Sequence, residues 1–519
     1  MSAQAKTLER ALIWIACLIA AVRVFFYAAA FPFFNNIDEQ AHFDLVLRYA
    51  RHGVRPGMER FSAEAAEYIA LYSSTEYILG PTNFPGGKAP PPIWMMPPER
   101  AAYRFEGLDS LWRARTNYEG TSPPLYYFVA AQWWRMGETL GIEGGYLLYW
   151  TRFLNVLFGG ALVWIGYWAA SLVFPGPCFR RLAVAMLLAF FPQDIFYSIQ
   201  SDVLSPILFG LAFVGLIKLW QSENPGIGLA AFTGVAIAGT ALVKATNLPL
   251  VAVAVVALLA KFWKLVRAGK LRPASRAFGI LAASAVLPVG AWMWLSYHAS
   301  GDVSGAAQKI RLMGWTRKPL NQWWPHPLFT WRGGKTFIGE MLASFWRGEF
   351  CWDSRRLASP VADAFYGWSS FVLIGATFLD LFRYGRGLSR CQCVALWIAL
   401  AACAASLAFV AISSLAFDFG AWEYPSKAVP ILTSGRLMIG ALIPFLLLYV
   451  YGLSQLLGWR GNRWAAPVGL AGIIVLVTVS EIVVNRPAFA SPYNFFHLVP
   501  LKKAAANVPA IYLRPRNTP

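Results

Sequence analysis

Long apolar runs separated by short polar segments dominate the chain, and their lengths give the first structural prediction. A helix needs ~18–20 consecutive apolar residues to cross a bilayer, and about eleven runs reach or approach that length. They lie near 11–34, 123–140, 151–174, 182–200, 203–220, 229–260, 278–298, 366–383, 393–415, 437–457 and 465–484. Alternating ~10-residue strands, which indicate a transmembrane barrel, are not the pattern seen here. The sequence predicts an all-α polytopic membrane protein with about 11 spans, in a range of roughly 10–13.

The run 229–260 is too long for one plain span. It contains Lys244 and Pro249 within "LVKATNLPL", a stretch that favours a break in the helix. Proline removes a helical hydrogen bond and a charge is costly inside the hydrocarbon. The run therefore predicts either one interrupted crossing or two separate ones.

Composition agrees with a membrane protein and excludes a nucleic-acid partner. The chain is 57% hydrophobic and 14% charged, and its net charge of +19 comes from basic residues in short loops between apolar runs. Loops at 261–276, 383–390 and 458–463 are strongly basic, which is typical of the cytoplasmic side. The six cysteines are scattered without zinc-type spacing, so we expect neither a disulfide framework nor a metal site from them.

The basic loops also predict an orientation. With them inside, the N-terminus is cytoplasmic and the long loops 35–122 and 299–365 lie outside. Arg180 and Arg181 then fall on the outer side, against the positive-inside rule. If 229–260 crosses the membrane twice, these arginines move to the cytoplasmic side. The loop 35–122 then stays outside only if another of the predicted spans is misassigned.

The first outer loop is rich in acids. Residues 35–122 hold 11 of the chain's 26 acidic residues, against nine basic ones. Apolar spacing predicts an amphipathic helix in "DEQAHFDLVLRYARHG", which could lie along the membrane surface, and another in 63–79, whereas the proline-rich 85–99 predicts an irregular loop. We expect one integral-membrane domain over 1–519, with a C-terminal tail at 485–519.

Asp38, Glu39 and His42 form the first candidate site, directly after the first span. A carboxylate beside the hydrocarbon boundary can act as a general base or bind a metal or a cationic group. His42 follows Asp38 by four residues, so both can share a helix face. The alternative is structural, because Asp38 is also a plausible helix N-cap.

Four further segments carry candidate chemistry. Pro124 and Tyr126 lie in "GTSPPLYYF" at the mouth of a span, where a proline start and an aromatic belt are the structural alternative. Asp202 lies between two apolar runs and Lys244 at the expected break within 229–260, and each could pair structurally or bind a ligand phosphate. Arg436 opens a late span, where a guanidinium suits a phosphate clamp but is also common at interfaces. The second outer loop carries tryptophans, which stack on sugars but more often anchor loops to headgroups.

An ordered set of motifs resembles a known family. The "DE" after the first span and "PPLYY" opening the second resemble the GT-C superfamily of integral-membrane glycosyltransferases. "IDEQAHFDLVLRYARHG", "TSPPLYYFVAA", "SDVLSPIL", "LVKATNLPL", "FWRGEFCWD" and "SGRLMIGALIPF" resemble the bacterial predicted-membrane-protein family catalogued as domain of unknown function 2142.

The resemblance implies a GT-C-like bundle in the bacterial inner membrane and an inverting transfer on its outer face. The donor would be a polyprenyl-phosphate sugar and the acceptor a cell-envelope glycan, lipid or protein. Asp38 would be the catalytic base with Glu39 beside it, and these two would be the ligands of any Mg or Mn ion. Arg436 would clamp the donor phosphate, although Leu437 stands where the family usually has tyrosine. The other implied substrate-binding positions are His42, Pro124, Tyr126, Asp202 and Lys244.

Two other functions stay open. Arg23, Asp202 and Lys244 inside the bundle favour a transporter or flippase of lipid-linked sugars or other anionic lipids. No inverted repeat, which many transporters show, is visible in the sequence. A non-catalytic assembly protein is the third hypothesis. The chain contains no Walker motif, which argues against an ATP-driven pump.

Overall fold

A computed structural model describes residues 3–36, 38–77, 83–176, 178–353, 355–383, 387–420, 424–458 and 462–498. These residues form an almost entirely helical protein. The α-helices are α1 (Ala3–Ala30), α2 (Glu39–His52), α3 (Ala63–Tyr72), α4 (Pro98–Ala114), α5 (Leu125–Thr139), α6 (Gly144–Val173), α7 (Cys178–Ala189), α8 (Ser205–Gln221), α9 (Ile227–Val243), α10 (Leu248–Arg267), α11 (Leu271–Ser300), α12 (Ala306–Leu312), α13 (Trp331–Arg347), α14 (Pro360–Arg383), α15 (Arg390–Ala416), α16 (Leu442–Gly458) and α17 (Ala465–Ala490).

Short 3-10 turns and strand pairs complete the described structure. The 3-10 turns are Thr75–Tyr77, Pro85–Gly87, Ile93–Met95, Asp194–Tyr197, Ser201–Leu204, Ala245–Asn247, Leu320–Gln322, Pro327–Phe329, Gly435–Ala441 and Phe495–His497. Strand β1 (Thr316–Arg317) pairs antiparallel with β4 (Phe417–Asp418), and β2 (Cys351–Trp352) pairs antiparallel with β3 (Arg355–Arg356). The first pair ties the loop after α12 to the end of α15.

Nine described helical segments are long and apolar enough to cross a membrane, by length and composition. They correspond to α1, α6, α8, α10, α11, α14, α15, α16 and α17. The shorter helices α7 and α9 run between the same two ends of the bundle. With the nine candidate spans they give a bundle of eleven helical segments, and the chain is a multi-pass, all-α membrane protein, as the sequence predicted.

Polar contacts define two opposite ends of the bundle. The end that holds the strongly basic loops is called the basic end, and the end that holds α2 to α5, α12 and α13 is called the loop end. Contacts at the basic end include Glu9–Arg181 (2.6 Å), Gln392–Val173 carbonyl (2.8 Å), Lys261–Ser222 carbonyl (2.7 Å) and Tyr451–Asp380 (2.6 Å). Every long polar segment between α1 and α6, and between α11 and α14, lies at the other end.

Two span assignments differ from the sequence prediction, and their effects on the number of spans cancel. The run 123–140 is not a crossing, because α5 lies beside α2 at the loop end and its Glu138 bonds Arg51 from the end of α2. The run 229–260 is two crossings, because the helix breaks at Lys244 into α9 and α10. The count of eleven is unchanged. The loop that carries Arg180 and Arg181 moves to the basic end, which removes the conflict with the positive-inside rule.

The first outer loop is folded more tightly than the sequence suggested. Helix α2 buries the predicted face at Ala41, Leu45 and Tyr49, but Phe43 and Asp44 on other faces are also buried. Helix α2 is therefore enclosed by neighbouring elements instead of lying on a membrane surface. Helix α3 ends at Tyr72, before the predicted 79, and residues 78–82 lie outside the described residues.

Candidate functional site

Asp38 lies at the loop end, where the chain turns from α1 into α2. Its backbone is left-handed, with φ 69° and ψ 0°, a conformation that aspartate and asparagine tolerate better than most residues. One carboxylate oxygen accepts a hydrogen bond from the Tyr118 hydroxyl at 2.6 Å, and the other pairs with the Arg436 guanidinium. The side chain keeps 20% of its surface exposed, so it remains within reach of a ligand.

Arg436 reaches Asp38 from a 3-10 turn, Gly435–Ala441, that leads into α16. Gly435 makes this turn possible, because a Cβ there would lie 2.1 Å from the backbone nitrogen of Phe345 in α13. The Arg436 Nε lies 3.4 Å from a carboxylate oxygen of Glu349. The Nη1 atom is buried and makes no hydrogen bond within the described residues. One side of the guanidinium is therefore left for another anionic group.

Asp202 and Lys244 continue the cluster from two other helix ends. Asp202 belongs to the turn that starts α8, and Lys244 ends α9 at the break before α10. The Lys244 ammonium pairs with the Asp202 carboxylate, which also lies 4.0 Å from Arg436 Nη1. Asp202 therefore brings a second cation, Lys244, to the neighbourhood of Arg436.

His42 and Glu119 form the other side of the cluster. His42 Nδ1 lies 2.7 Å from the Tyr127 hydroxyl, while its buried Nε2 has no partner within the described residues. Glu119 accepts hydrogen bonds from Lys309 and Ser122. One potential ligand atom from each of Asp38, His42 and Glu119 lies within 4.8 Å of the other two, so these three residues could hold a metal ion.

Neighbouring charges and burial set the protonation states of this group. Burial alone would raise the pKa of Asp38, but Arg436, followed by His42 and Tyr118, holds that pKa well below its usual range. Burial lowers the pKa of His42 to about 4. Burial opposes ionisation of Glu119 too, but Lys309 and His42 lower its pKa to about 2. At neutral pH Asp38 and Glu119 are therefore ionised and the imidazole of His42 is uncharged.

Glu39 does not face the cluster, although the sequence placed it beside Asp38. Its carboxylate makes a two-pronged ion pair with Arg152 of α6, at 2.7 Å and 2.6 Å. It also accepts the backbone N–H groups of Phe34 and Ile199, both at 2.9 Å. Asp38 has a left-handed backbone just before α2, whereas Glu39 is the first helical residue, so the two side chains aim at different neighbours.

The "PPLYY" stretch borders the site through a residue other than the one the sequence selected. Pro124 precedes the first residue of α5, and Tyr126 is fully buried in the apolar core. Tyr127 is the tyrosine that bonds His42. Sequence reasoning also missed Tyr118 and Glu119. Their position a few residues before the two prolines, within the acid-rich first loop, was the available signal.

Two further buried acids, Glu349 and Asp194, support the position of Arg436. Glu349 is almost fully buried, accepts the Ser434 hydroxyl and pairs with Arg356 at 3.0 Å. Asp194 holds this segment in place by accepting the backbone N–H groups of Glu349 and Phe350, both at 2.6 Å. Burial and the neighbouring Glu349 raise the pKa of Asp194 to about 7.

Comparison with known proteins gives one family and distant structural likenesses. No curated protein matches the sequence. Solved structures that resemble the chain include the archaeal oligosaccharyltransferase AglB from Archaeoglobus fulgidus, in complex with an inhibitory peptide and a dolichol-phosphate. That likeness has 13% identity and a TM-score of 0.39, and covers 94% of this chain and 57% of the other.

A second structure is the Archaeoglobus fulgidus oligosaccharyltransferase in complex with Zn and sulfate. It shows 12% identity and a TM-score of 0.36, over 89% of this chain and 53% of the other. The present chain thus spans little more than half the length of these enzymes. A family model described as predicted membrane protein (DUF2142) matches residues 22–421, and the chain belongs to that family.

Proposed function

We propose that this protein is a GT-C-type glycosyltransferase that moves a sugar from a polyprenyl-phosphate donor to a cell-envelope acceptor at the loop end. The observation that carries the proposal is the contact between Asp38 and Arg436, which are 398 positions apart in the chain. It joins a candidate base to a candidate phosphate clamp. The basic loops lie at the opposite end of the bundle, which supports an outward-facing loop end and a cytoplasmic N-terminus.

The proposed reaction uses the cluster in two stages. The donor phosphate first binds Arg436, where Nη1 makes no hydrogen bond with the described residues, with Lys244 as the second cation. Competition for the guanidinium releases Asp38 from its ion pair, and the pKa of Asp38 then rises from its depressed value. Donor binding therefore turns a weak base into a stronger one.

The acceptor hydroxyl then attacks the anomeric carbon of the sugar. The new C–O bond forms as the bond to the phosphate oxygen breaks, and polyprenyl phosphate leaves with the electron pair. The hydroxyl proton passes to Asp38. His42 stays neutral and offers Nε2 as a hydrogen-bond acceptor for the incoming acceptor, which orients it. Such base catalysis contributes ~10²–10⁴-fold to the rate.

A divalent cation, if one participates, fits Asp38, His42 and Glu119 better than the sequence-predicted pair of Asp38 and Glu39. Both oxygens of Glu39 are already occupied by Arg152 and by two backbone N–H groups. A bound Mg or Mn ion would neutralise charge on the donor phosphate. Lys309 and Arg436 already balance the two carboxylates, so no step of the proposed reaction passes through a metal.

Deletion and complementation test the proposal. The deletion strain receives the wild-type gene, D38N, or D109N as a matched Asp→Asn change in the same loop. Asp109 pairs with Arg113 within α4, outside the cluster. Mass spectrometry of envelope glycans should show the same missing sugar in the deletion and in D38N, and full restoration by D109N.

Restoration of the glycan by D38N, with protein levels equal to the wild type, would refute the catalytic assignment. Purified protein gives the second arm, with a synthetic polyprenyl-phosphate sugar as the probe. Movement of this lipid across vesicle membranes without any glycosidic product would instead support the transporter hypothesis. The structure gives transport less support than the sequence did, because Arg23 is saturated by Glu481, Tyr197 and two backbone carbonyls.

A further inference from the structure

A groove between the first and the last membrane helices opens toward the surrounding lipid, away from the charged cluster. Its volume is about 800 Å³, within the ~300–1,000 Å³ typical of ligand sites. Helix α1 contributes residues from Leu18 to Tyr27, and α17 contributes residues from Thr478 to Phe489. The lining is almost wholly apolar, which suits a hydrocarbon chain and excludes a polar solute.

The groove is as deep as one leaflet of a membrane. At a helical rise of 1.5 Å per residue, its α1 wall is about 14 Å long and its α17 wall about 16 Å long. Half of a ~30 Å hydrocarbon core is about 15 Å. Both walls lie toward the ends of their helices at Ala30 and Ala490, so the groove belongs to the leaflet on the loop-end side.

Arg486 lines the groove near its loop-end rim. It lies four residues before the end of α17, its side chain is exposed, and it forms no ion pair with any residue the structure describes. The other two charged residues of the groove, Arg23 and Glu481, pair with each other at 2.7 Å. The groove therefore carries one uncompensated positive charge, at the depth where lipid phosphates lie.

Pro487 adds a hydrogen-bond acceptor at the same place. Proline has no backbone N–H, so α17 cannot form the usual helical hydrogen bond to the carbonyl of Val483, which lines the groove. A headgroup hydroxyl could donate to that carbonyl while its phosphate meets Arg486.

We propose that this groove binds an anionic phospholipid of the loop-side leaflet, with an acyl chain between α1 and α17 and the phosphate on Arg486. The apolar lining, the one-leaflet depth and the single unpaired cation together match an acyl chain with an anionic headgroup. A polyprenyl phosphate shares the phosphate and the apolar tail, but its tail is longer than one leaflet. The proposal does not depend on the proposed transferase activity.

Native mass spectrometry of the full-length protein, reconstituted in phosphatidylcholine nanodiscs, tests the site. Phosphatidylglycerol, tail-matched phosphatidylcholine and polyprenyl phosphate are titrated as three separate probes. We expect phosphatidylglycerol to bind best, and R486Q to weaken its binding about fivefold, in line with one basic residue at a lipid surface. R463Q removes an arginine from the residues preceding the opposite end of α17 and should leave the affinity unchanged.

Filling the groove is the independent arm. V483W places an indole inside the groove, whereas V475W adds the same bulk at a position on α17 that is 61% exposed and does not line the groove. Binding should be lost in V483W alone, with thermal unfolding of both lipid-free variants near that of the wild type. Equal affinities for the two phospholipids, equal effects of R486Q and R463Q, or tighter binding of polyprenyl phosphate would each overturn the proposal.

Discussion

Glu39–Arg152 and Asp38–Arg436 are two acid–arginine pairs whose acids are adjacent in the chain. The two pairs differ in their burial and in the hydrogen bonds around them. Glu39 and Arg152 keep 0% and 1% of their side-chain surface exposed, whereas Asp38 and Arg436 keep 20% and 12%. Arg152 also donates to the carbonyls of Ala28 and Pro32, at 3.2 Å and 3.0 Å. The first pair has no group left to offer a ligand.

The difference separates a structural pair from a candidate reactive pair. The Glu39–Arg152 pair joins α2 to α6 and fastens the turn after α1, because its partners come from all three regions. The Asp38–Arg436 pair leaves Nη1 without a hydrogen bond to any residue the structure describes, and leaves part of the carboxylate accessible. Adjacent acids can thus carry opposite roles, one holding the site together and the other free to exchange its partner.

Breaking the buried pair should have the largest effect. E39Q leaves Arg152 charged and buried without its counter-ion, which costs about 3–5 kcal/mol of unfolding free energy. We expect little folded protein to reach the membrane, and a large fall in the thermal unfolding midpoint of what does. Fluorescence-detected size-exclusion chromatography of detergent extracts measures the first quantity, and differential scanning fluorimetry the second.

E59Q is the matched control for that experiment. Glu59 pairs with Arg48 in the same loop, but its side chain is 70% exposed. Exposed ion pairs contribute less than about 1 kcal/mol, so E59Q should behave like the wild type. If E39Q yielded as much folded protein as E59Q, the structural role of Glu39 would be refuted.

R436K addresses the second pair at constant charge. Lysine cannot present two parallel N–H donors to a phosphate, and its ammonium would have to choose between Asp38 and the donor. Loss of one charge-assisted hydrogen bond is expected to raise the KM for a polyprenyl-phosphate sugar about tenfold or more. Steady-state kinetics of purified protein measure this change.

The control is R332K, the same substitution at an exposed loop-end arginine in α13. It should leave the KM unchanged. An unchanged KM in R436K, with folded protein confirmed, would mean that the guanidinium geometry is not used for the donor.

The sequence selected five residues of the candidate site, Asp38, His42, Asp202, Lys244 and Arg436, but it missed Tyr118, Glu119 and Tyr127. Asp38 and Arg436 were accessible to prediction because each stands at a membrane boundary, where charges are conspicuous. Glu39 was placed with Asp38 because spacing shows the helix start but not the side-chain direction, which Arg152 decides. Tyr127 was passed over in favour of Tyr126 for the same reason.

The span topology shows a related limit. Apolar length alone cannot distinguish α5, which lies against α2 at the loop end, from a crossing helix. The break at Lys244 was visible because a cation and a proline interrupt the run. Arg180 and Arg181 gave the correct indication, because the positive-inside rule groups their loop with the other basic loops.

Acidification should change the stability of the protein through two buried groups that act in opposite directions, His42 beside Asp38 and Asp194 behind Arg436. This is the smallest of the predicted effects. The ordinary pKa of histidine is 6.5, and burial lowers that of His42 to about 4. Between these values the unfolded chain binds a proton that the folded protein does not, so acid favours unfolding. Asp194 acts oppositely, because its pKa rises from 3.8 to about 7 and the folded protein binds the extra proton.

The two slopes oppose each other between about pH 4 and 6.5, each amounting to at most about 1.4 kcal/mol per pH unit. H42N keeps a hydrogen-bonding amide near Tyr127 but removes the first slope, so its unfolding midpoint should fall less than that of the wild type from pH 6.5 to 4.5. D194N removes the second, and its midpoint should fall more. Parallel curves for wild type and both variants would show that neither group changes its proton binding on folding. If only the curve of H42N differs from that of the wild type, the buried neutral imidazole beside Asp38 is the titrating group. Asp194 would then be a permanent hydrogen-bond acceptor for the segment that supports Arg436.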